Sequence, residues 1–468
     1  MRVRFPALGI LPLMVSSAAA VDFTPDQLHQ RTVERRAIEA VNWGIPVVNF
    51  DRMLQAFTDK GGNFNQVVYW SGLPDWKNQM LTPNPDTIYL LPFYDTKAVG
   101  PVVIEIPPAG TGGSITGTLM DVWQAALEDV GPAGADKGKG GKFLILPPGY
   151  KKATPKGYIV LPSSTYEGYG LLRSIVKGSG PEAIKKAVDY GRRVKLYPLS
   201  KAARPDKTAF VDVLGVEFDS TIRYDLSFYR SLDRVVQYEP WLPRDKVMVD
   251  MLRSIGIEKG KMFNPDEKTT AILEAAVAEA HAWIDSSYET AFKPYFDNAY
   301  WAVPAPSDLV KTAATFYETA DTYPIDSRGL TYFWGFSSVK HLGTGQFYLM
   351  STKDKTGQAL DGGKSYKLTV PAHVPVSQYW SAVVYDRATQ ALVRDVLSPS
   401  KSSMSKGLTV NADGTVDLFF GPISPAGKET NWTPTKPGGR FEVLFRLYGP
   451  QKPLFEKSWS LPDIEPAD

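Results

Sequence analysis

Apolar positions set the first element at helical spacing. After "TPDQ" (residues 24–27), Val33, Ala37, Ala40 and Val41 recur three and four residues apart, the stripe of an amphipathic helix. Thr24 offers the N-cap, Pro25 the first helical position and Gln27 the capping-box partner. Gly44 and Pro46 predict a break, with "VVNFDRMLQAF" resuming as a second helix. From Tyr89 the pattern shortens to apolar runs of strand length, "TIYLLPFY", "PVVIEIP", "KFLILPP" and "GYIVLPS", each bounded by Pro or Gly.

A mixed region follows over roughly residues 170–320. Its clearest element begins at "NPDEKTTAILEAAVAEAHAW", where Asn264 is the expected N-cap, Pro265 the first position and Glu267 the capping-box residue. Ile272, Ala276, Ala280, Trp283 and Ile284 form its packing stripe, and His281 with Asp285 reads as an exposed pair one turn apart. From about Thr331 the chain reads as strand and turn throughout. "NADG" (residues 411–414) supplies a hairpin turn between two apolar runs. Strands this closely spaced imply a sandwich or jelly roll. The acidic tail after Leu461 is expected to fray. The predicted fold is therefore α+β. A β-rich N-terminal domain with helices covers residues 21–200 and a mostly helical connection 201–325. A C-terminal antiparallel β-sandwich of jelly-roll type covers 326–468.

Length agrees, since 468 residues exceed one ordinary core. At the N-terminus, Arg2 and Arg4 precede a short apolar run and the small residues Ala18, Ala19 and Ala20. That order is the pattern of a signal peptide, residues 1–20, and predicts a periplasmic or secreted protein. The run is too short for a membrane span. Of 52 basic residues the leader takes two, leaving 50 against 50 acidic. A balanced chain gives no electrostatic reason to expect nucleic acid or an anionic membrane as partner. Zero cysteines exclude disulfides, thiolate nucleophiles and thiolate metal ligands.

Several chemical signals fail on inspection. "GADKGKGGK" (residues 134–142) lacks the phosphate-loop spacing and precedes a strand, where such loops open a helix, so it reads as a solvated lysine loop. No G-x-S-x-G elbow exists, and His29, His281, His341 and His373 form no zinc-type pair. No metal site and no cofactor are expected. What survives is "LTPNPDTIYLLPFYD" (residues 81–95). Thr82 and Asn84 each precede a proline and are pushed out of helical conformation, while Asn84 and Asp86 can close turns onto nearby amides. That stiffness suits either a turn feeding a buried strand or a ligand site that loses little entropy on binding. In "RFEVLFRLYG", Phe441, Val443, Phe445 and Leu447 share one strand face, leaving Arg440, Glu442, Leu444, Arg446 and Tyr448 on the other. Arg446 suits an anion, though a pairing with Glu442 is the plainer expectation. Trp432 in "NWTPT" is a platform for a ring or for a core end.

These segments carry a resemblance. "EAVNWGIPVVNFDRM", "LTPNPDTIYLLPFYD", "GPVVIEIPP" and "DVGPAGADKGKGGKFLILPPGY" resemble the first of two paired domains, of unknown function, in bacterial exported proteins, family 1254. "LDGGKSYKLTVPAHVPVSQYWSAVVYDRAT", "NADGTVDLFFGP" and "NWTPTKPGGRFEVLFRLYGP" resemble the second, family 1214. The resemblance implies a β-rich N-terminal domain joined to a C-terminal jelly-roll sandwich. The turn bearing Asn84, Asp86, Thr87 and Tyr89 is intact. Where many relatives carry an Arg-Tyr-Tyr type segment, this chain reads "GGSITGTLMDVWQ".

The leading expectation is a protein that binds a small polar or sugar-like ligand, a carbohydrate included, in a groove between its two domains. Asn84, Asp86 and Thr87 would make hydrogen bonds, Tyr89, Trp380 and Trp432 would form walls, and Arg446 would meet an anion or hydroxyl. The second expectation is a histidine-independent hydrolase or lyase with Asp86 or Asp121 as base and Tyr89 as proton donor. A homo-oligomer assembled through sheet edges is the third.

Overall fold

A computed structural model describes residues 22–312, 315–335, 339–341 and 345–467. The expected signal peptide lies outside them. Helix α1 (Pro25–Thr58) starts as its sequence demands, with Thr24 and Gln27 closing a complete capping box. It then passes unbroken through Gly44 and Pro46. The expected break is corrected by burial: residues 40–53 are enclosed on every side, and such all-round packing outweighs the local cost of a proline. At Gly44 the space a side chain would fill is bounded by Phe228 and Leu232.

Strands β1 (Gln66–Tyr69), β2 (Asn78–Gln79), β3 (Ile88–Asp95) and β4 (Val102–Ile106) follow, with the short helix α2 (Thr96–Val99) between the last two. Then come β5 (Ile115–Asp121), β6 (Ala126–Val130), β7 (Gly141–Leu146), β8 (Ile159–Pro162) and β9 (Glu167–Ser174). Helix α3 (Pro181–Gly191) leads to β10 (Lys195–Pro198), β11 (Phe210–Asp212) and β12 (Phe218–Asp219). Six strands make one sheet in the order β11-β1-β3-β9-β5-β6, and four make a second, β10-β4-β7-β8. Apolar side chains of both, among them Leu90, Ile104, Phe143 and Leu172, share one core. The loop before β7 is tighter than a solvated lysine loop, because buried Asp136 accepts from the amides of Gly131 (2.6 Å) and Gly140 (3.2 Å).

The helical region comprises α4 (Leu226–Tyr238), α5 (Lys246–Leu252), α6 (Glu267–Tyr288), α7 (Ser307–Thr312) and α8 (Ile325–Trp334). The α6 N-cap is Asp266, which accepts from Thr269 at 2.7 Å, rather than Asn264. Helix also persists beyond Thr331, where strand was expected, as far as Trp334. These helices wrap α1, and their shared core takes in Leu91 and Tyr169 from one side and Val383, Tyr385 and Leu444 from the other. Among the described residues no helix is long and apolar enough to cross a membrane.

The remaining strands are β13 (Gln346–Ser351), β14 (Tyr366–Val370), β15 (Val376–Asp386), β16 (Ser400–Ser402), β17 (Val416–Gly421), β18 (Trp432–Pro434), β19 (Phe441–Pro450) and β20 (Glu465–Pro466). They form two open sheets, β13-β19-β15-β16 and β18-β17-β14-β20, that enclose a common core. Pairing is antiparallel except between β17 and β18, which run parallel. The tail does not fray: Ile464 is buried and β20 pairs with β14. The molecule is thus a mixed α+β chain of several open sheets around a helical centre.

Strand β19 divides its side chains as its two-residue period requires. Phe441, Val443, Phe445 and Leu447 enter the core between the C-terminal sheets. The opposite face is not solvated. Glu442 is fully buried against helix α6, while Arg446, 2% exposed, and Tyr448, 3% exposed, meet residues 82–84.

Candidate functional site

The turn at residues 81–87 is where the two halves meet. Two prolines and an Asx turn fix it locally: the Asn84 side-chain oxygen accepts from the Asp86 amide at 2.9 Å. Thr82 sits at φ +37°. With its conformation set from within, the turn presents its remaining polar groups outward to the C-terminal sheet. Asn84 Nδ2 donates to the hydroxyls of Tyr448 (2.6 Å) and Tyr379 (3.1 Å). The Pro83 carbonyl accepts from Tyr385 at 2.6 Å, and the Thr82 carbonyl from Arg446 Nη2 at 2.9 Å. Ser400 reaches the Asp86 carboxylate at 3.3 Å. Thr87 turns back to its own sheet, donating to the Ser174 carbonyl. Tyr89 accepts from the Asn84 amide at 2.8 Å, and its ring lies under the Arg173 guanidinium at 5.4 Å.

Of the residues singled out from sequence, Asn84, Asp86, Thr87, Tyr89 and Arg446 are therefore brought together. Three are not. Trp380 points one residue out of phase, into the C-terminal core, where it stacks on Phe445 at 5.5 Å. Its neighbour Tyr379 holds the place expected of it. Trp432 lies on β18 in the far sheet and donates to the Gly421 carbonyl. Asp121 is buried elsewhere. Its Oδ1 accepts from the Ala125 amide, and burial raises its pKa against the pull of Arg244 and Arg328. The expected Glu442–Arg446 pair is also replaced: Glu442 accepts from Tyr288 at 2.9 Å and approaches Arg387. His281 is no exposed partner for Asp285 but stacks on Tyr224 with ring centroids 3.9 Å apart.

Two cavities flank the turn, and each is walled by both halves. One, of about 240 Å³, lies between Thr82, Arg173, Val303, Trp334, Tyr348 and Arg446. The other, of about 590 Å³, lies between Thr116, Ile175, Lys177, Gln378, Tyr379 and Tyr448. Gln346 at the start of β13 borders both. Tyr348, Tyr379 and Tyr385, and Arg173 on β9, escaped sequence reading, whereas Tyr448 falls on the polar face of its strand beside Arg446. The period of two in "SQYWSAVVYD" does carry a signal, since it sets Tyr379, Val383 and Tyr385 on the face opposite Trp380. Among the described residues no cluster of three or more His, Asp or Glu side chains could hold a metal ion.

Electrostatics within the turn centre on Asp86. Little of the residue reaches the surface, and burial pushes its carboxyl up to about 6, against the pull of Arg446 and the Ser400 hydroxyl. Below the ordinary carboxyl value both folded and unfolded chains hold the proton. Between there and about 6 only the folded chain does, so stability falls as pH rises through that window. Asp86→Asn is expected to be more stable than the parent by about 1–2 kcal/mol at pH 8 and equal to it near pH 4. Urea denaturation at the two pH values checks this; a variant destabilised at pH 8 alone would show that the charge is wanted.

The comparisons with known proteins are these. Residues 64–198 match a family described as a protein of unknown function (DUF1254), and residues 345–452 match a second, protein of unknown function (DUF1214). The turn falls in the first matched region and Arg446 in the second, so the site draws on both. No curated protein matches the chain. The crystal structure of the VPA0106 protein from Vibrio parahaemolyticus is similar over 93% of this chain and 100% of that one, at 17% identity and TM-score 0.56. A putative uncharacterized protein from Burkholderia cenocepacia aligns over 94% of each chain at 12% identity and TM-score 0.40. The first likeness bears on fold alone, and the second carries no argument.

Proposed function

We propose that this chain, which pairs the DUF1254 and DUF1214 domains, is a binding protein for small molecules whose site is the seam between those domains. The carrying observation is that the same residues both lock the halves together and wall the cavities. Thr82 and Arg446 border the smaller cavity, and Tyr379 and Tyr448 border the larger. A seam held this firmly offers a preformed pocket with little ordering left to do on binding. In the same reading the C-terminal sheets form a jelly-roll-type sandwich, and residues 1–20 direct the protein to the periplasm or the exterior before removal. Asp86 and Tyr89, the pair considered for acid–base chemistry, border neither cavity, which favours binding over catalysis.

The test is a thermal-shift screen of small acids, sugars and neutral aromatics against the parent and Ala305→Trp. Ala305 lines the smaller cavity, and an indole there fills much of it. Compounds that stabilise the parent should lose their effect in the variant, because stabilisation follows occupancy of the folded state. Hits that shift both proteins equally would place binding elsewhere.

A further inference from the structure

The smaller cavity has a chemistry of its own. Arg446 and Arg173 both line it, and none of the described residues lining it is acidic. Arg446 is 2% exposed, its Nη2 donates to the Thr82 carbonyl and the Tyr385 hydroxyl stands close by, yet among the described residues Nε and Nη1 reach no acceptor in good geometry. Arg173 Nε is likewise buried without an acceptor. Arginine remains charged in any protein setting, so these are a buried and a half-buried cation with unused donors. The Tyr348 and Tyr385 rings lie 5.3 and 5.4 Å from the Arg446 guanidinium, and the Tyr89 ring 5.4 Å from that of Arg173. Ring faces stabilise the charges in part but accept no N–H as a carboxylate does. The acids that act on Arg446 are Asp86 and Glu442, the latter held chiefly by Arg387, whereas only tyrosines act on Arg173, which is left without a counter-charge. Leaving a buried donor or charge unpaired is costly enough that a structure retaining it calls for an explanation, and a missing ligand is one.

The remaining wall is apolar: Val303, Pro304, Val310, Phe347 and Phe455. A space of about 240 Å³ admits a compound of roughly eight non-hydrogen atoms, judged against the ~30 Å³ of a liquid water molecule. We infer that the cavity takes a small monocarboxylate with an apolar body, its carboxylate set between Arg446 and Arg173 and its body against the Val303, Phe347 and Phe455 wall. One spare positive charge suits a monoanion better than a phosphate dianion, whose second charge would have no partner in so apolar a space. A neutral sugar would leave the guanidinium donors poorly answered and set its hydroxyls against hydrocarbon. This inference rests on the seam being a binding site, and it adds the ligand class.

The probes are straight-chain carboxylates of up to about eight non-hydrogen atoms, each beside its own primary amide. Binding is measured by calorimetry to the full-length mature protein, to Arg173→Gln and to Ala305→Trp. Arg173 is the chosen arginine because Arg446 also holds the turn. At least one acid is expected to bind the parent ten-fold or more tightly than its amide. Arg173→Gln should erase most of that preference, with acid binding falling much further than amide binding, and Ala305→Trp should abolish both. Acid and amide binding equally, both lost in Ala305→Trp, would overturn the carboxylate assignment and leave the pocket standing. A preference that persists in Arg173→Gln would also overturn it. Failure of every acid and every amide to bind the parent, or binding that survives Ala305→Trp, would overturn the cavity as the site altogether.

Discussion

Arg387→Ala is expected to cost about 3–5 kcal/mol of folding stability, the range for removing one partner of a buried ionic network. The guanidinium is 2% exposed and bridges elements far apart in the chain: Nη2 meets Asp285 at 2.6 Å and Glu289 at 3.0 Å, both near the end of α6. Nε lies 4.0 Å from Glu442 on β19, which is completely buried and also accepts from Tyr288. Burial raises the Glu442 carboxyl to about 7, and Arg387 is the largest influence opposing that rise. Without the arginine the carboxyl climbs further. A carboxyl raised in the folded state weakens the fold as pH rises, so the loss in Arg387→Ala should be larger at pH 8 than at pH 5.5. Arg440 provides the control. It pairs with the same Asp285 and Glu289 but is about half exposed, so Arg440→Ala should cost no more than about 1 kcal/mol. Urea denaturation of both variants at the two pH values decides the matter; equal losses would mean that burial confers no special weight on Arg387.

The same network marks how far sequence could reach. Which residues of β19 share a face follows from the strand period, and that division holds from Phe441 to Tyr448. Sequence could not say what covers the polar face, because the answer, helix α6 and the turn at Asn84, arrives from chain positions up to 364 residues away. The proline-rich turn was legible for the opposite reason: its two X-Pro steps and its Asx bond involve only neighbours. Pro46 misled because a local rule met a helix buried on every side. Arg173 was overlooked because β9, "EGYGLLRS", has glycines where a strand pattern wants apolar side chains. The structure accounts for both glycines. A side chain at Gly168 would strike the Tyr94 hydroxyl, and one at Gly170 would press on Leu119 and Pro92. Trp380, expected as a wall, lies on the wrong face, since the site takes the hydroxyl of Tyr379 from the opposite one.

Asn84 bears the second large effect, and its two substitutions separate geometry from charge. Asn84→Ala removes three hydrogen bonds at once: those to Tyr448 (2.6 Å) and Tyr379 (3.1 Å), and the one that closes the turn onto the Asp86 amide (2.9 Å). The tyrosine rings are stacked 4.3 Å apart and 4% or less exposed, so their hydroxyls cannot turn to bulk water for replacement partners. At roughly 1–3 kcal/mol for each polar group left unsatisfied, the expected loss is about 2–4 kcal/mol. Asn84→Asp keeps the acceptor for the Asp86 amide, and the tyrosine hydroxyls can reverse to donate to the new carboxylate. It also sets a second buried carboxyl within two residues of Asp86, whose own carboxyl already sits near 6. The aspartate variant should therefore approach the parent near pH 4, where both acids are protonated, and fall toward the alanine variant at pH 8. If the seam is the binding site, Asn84→Ala should also weaken any ligand of the larger cavity, since it releases Tyr448 and Tyr379 from the wall they form. A variant that loses neither stability nor ligand would show that the halves are held by their apolar contacts alone and that the turn merely fills the gap between them.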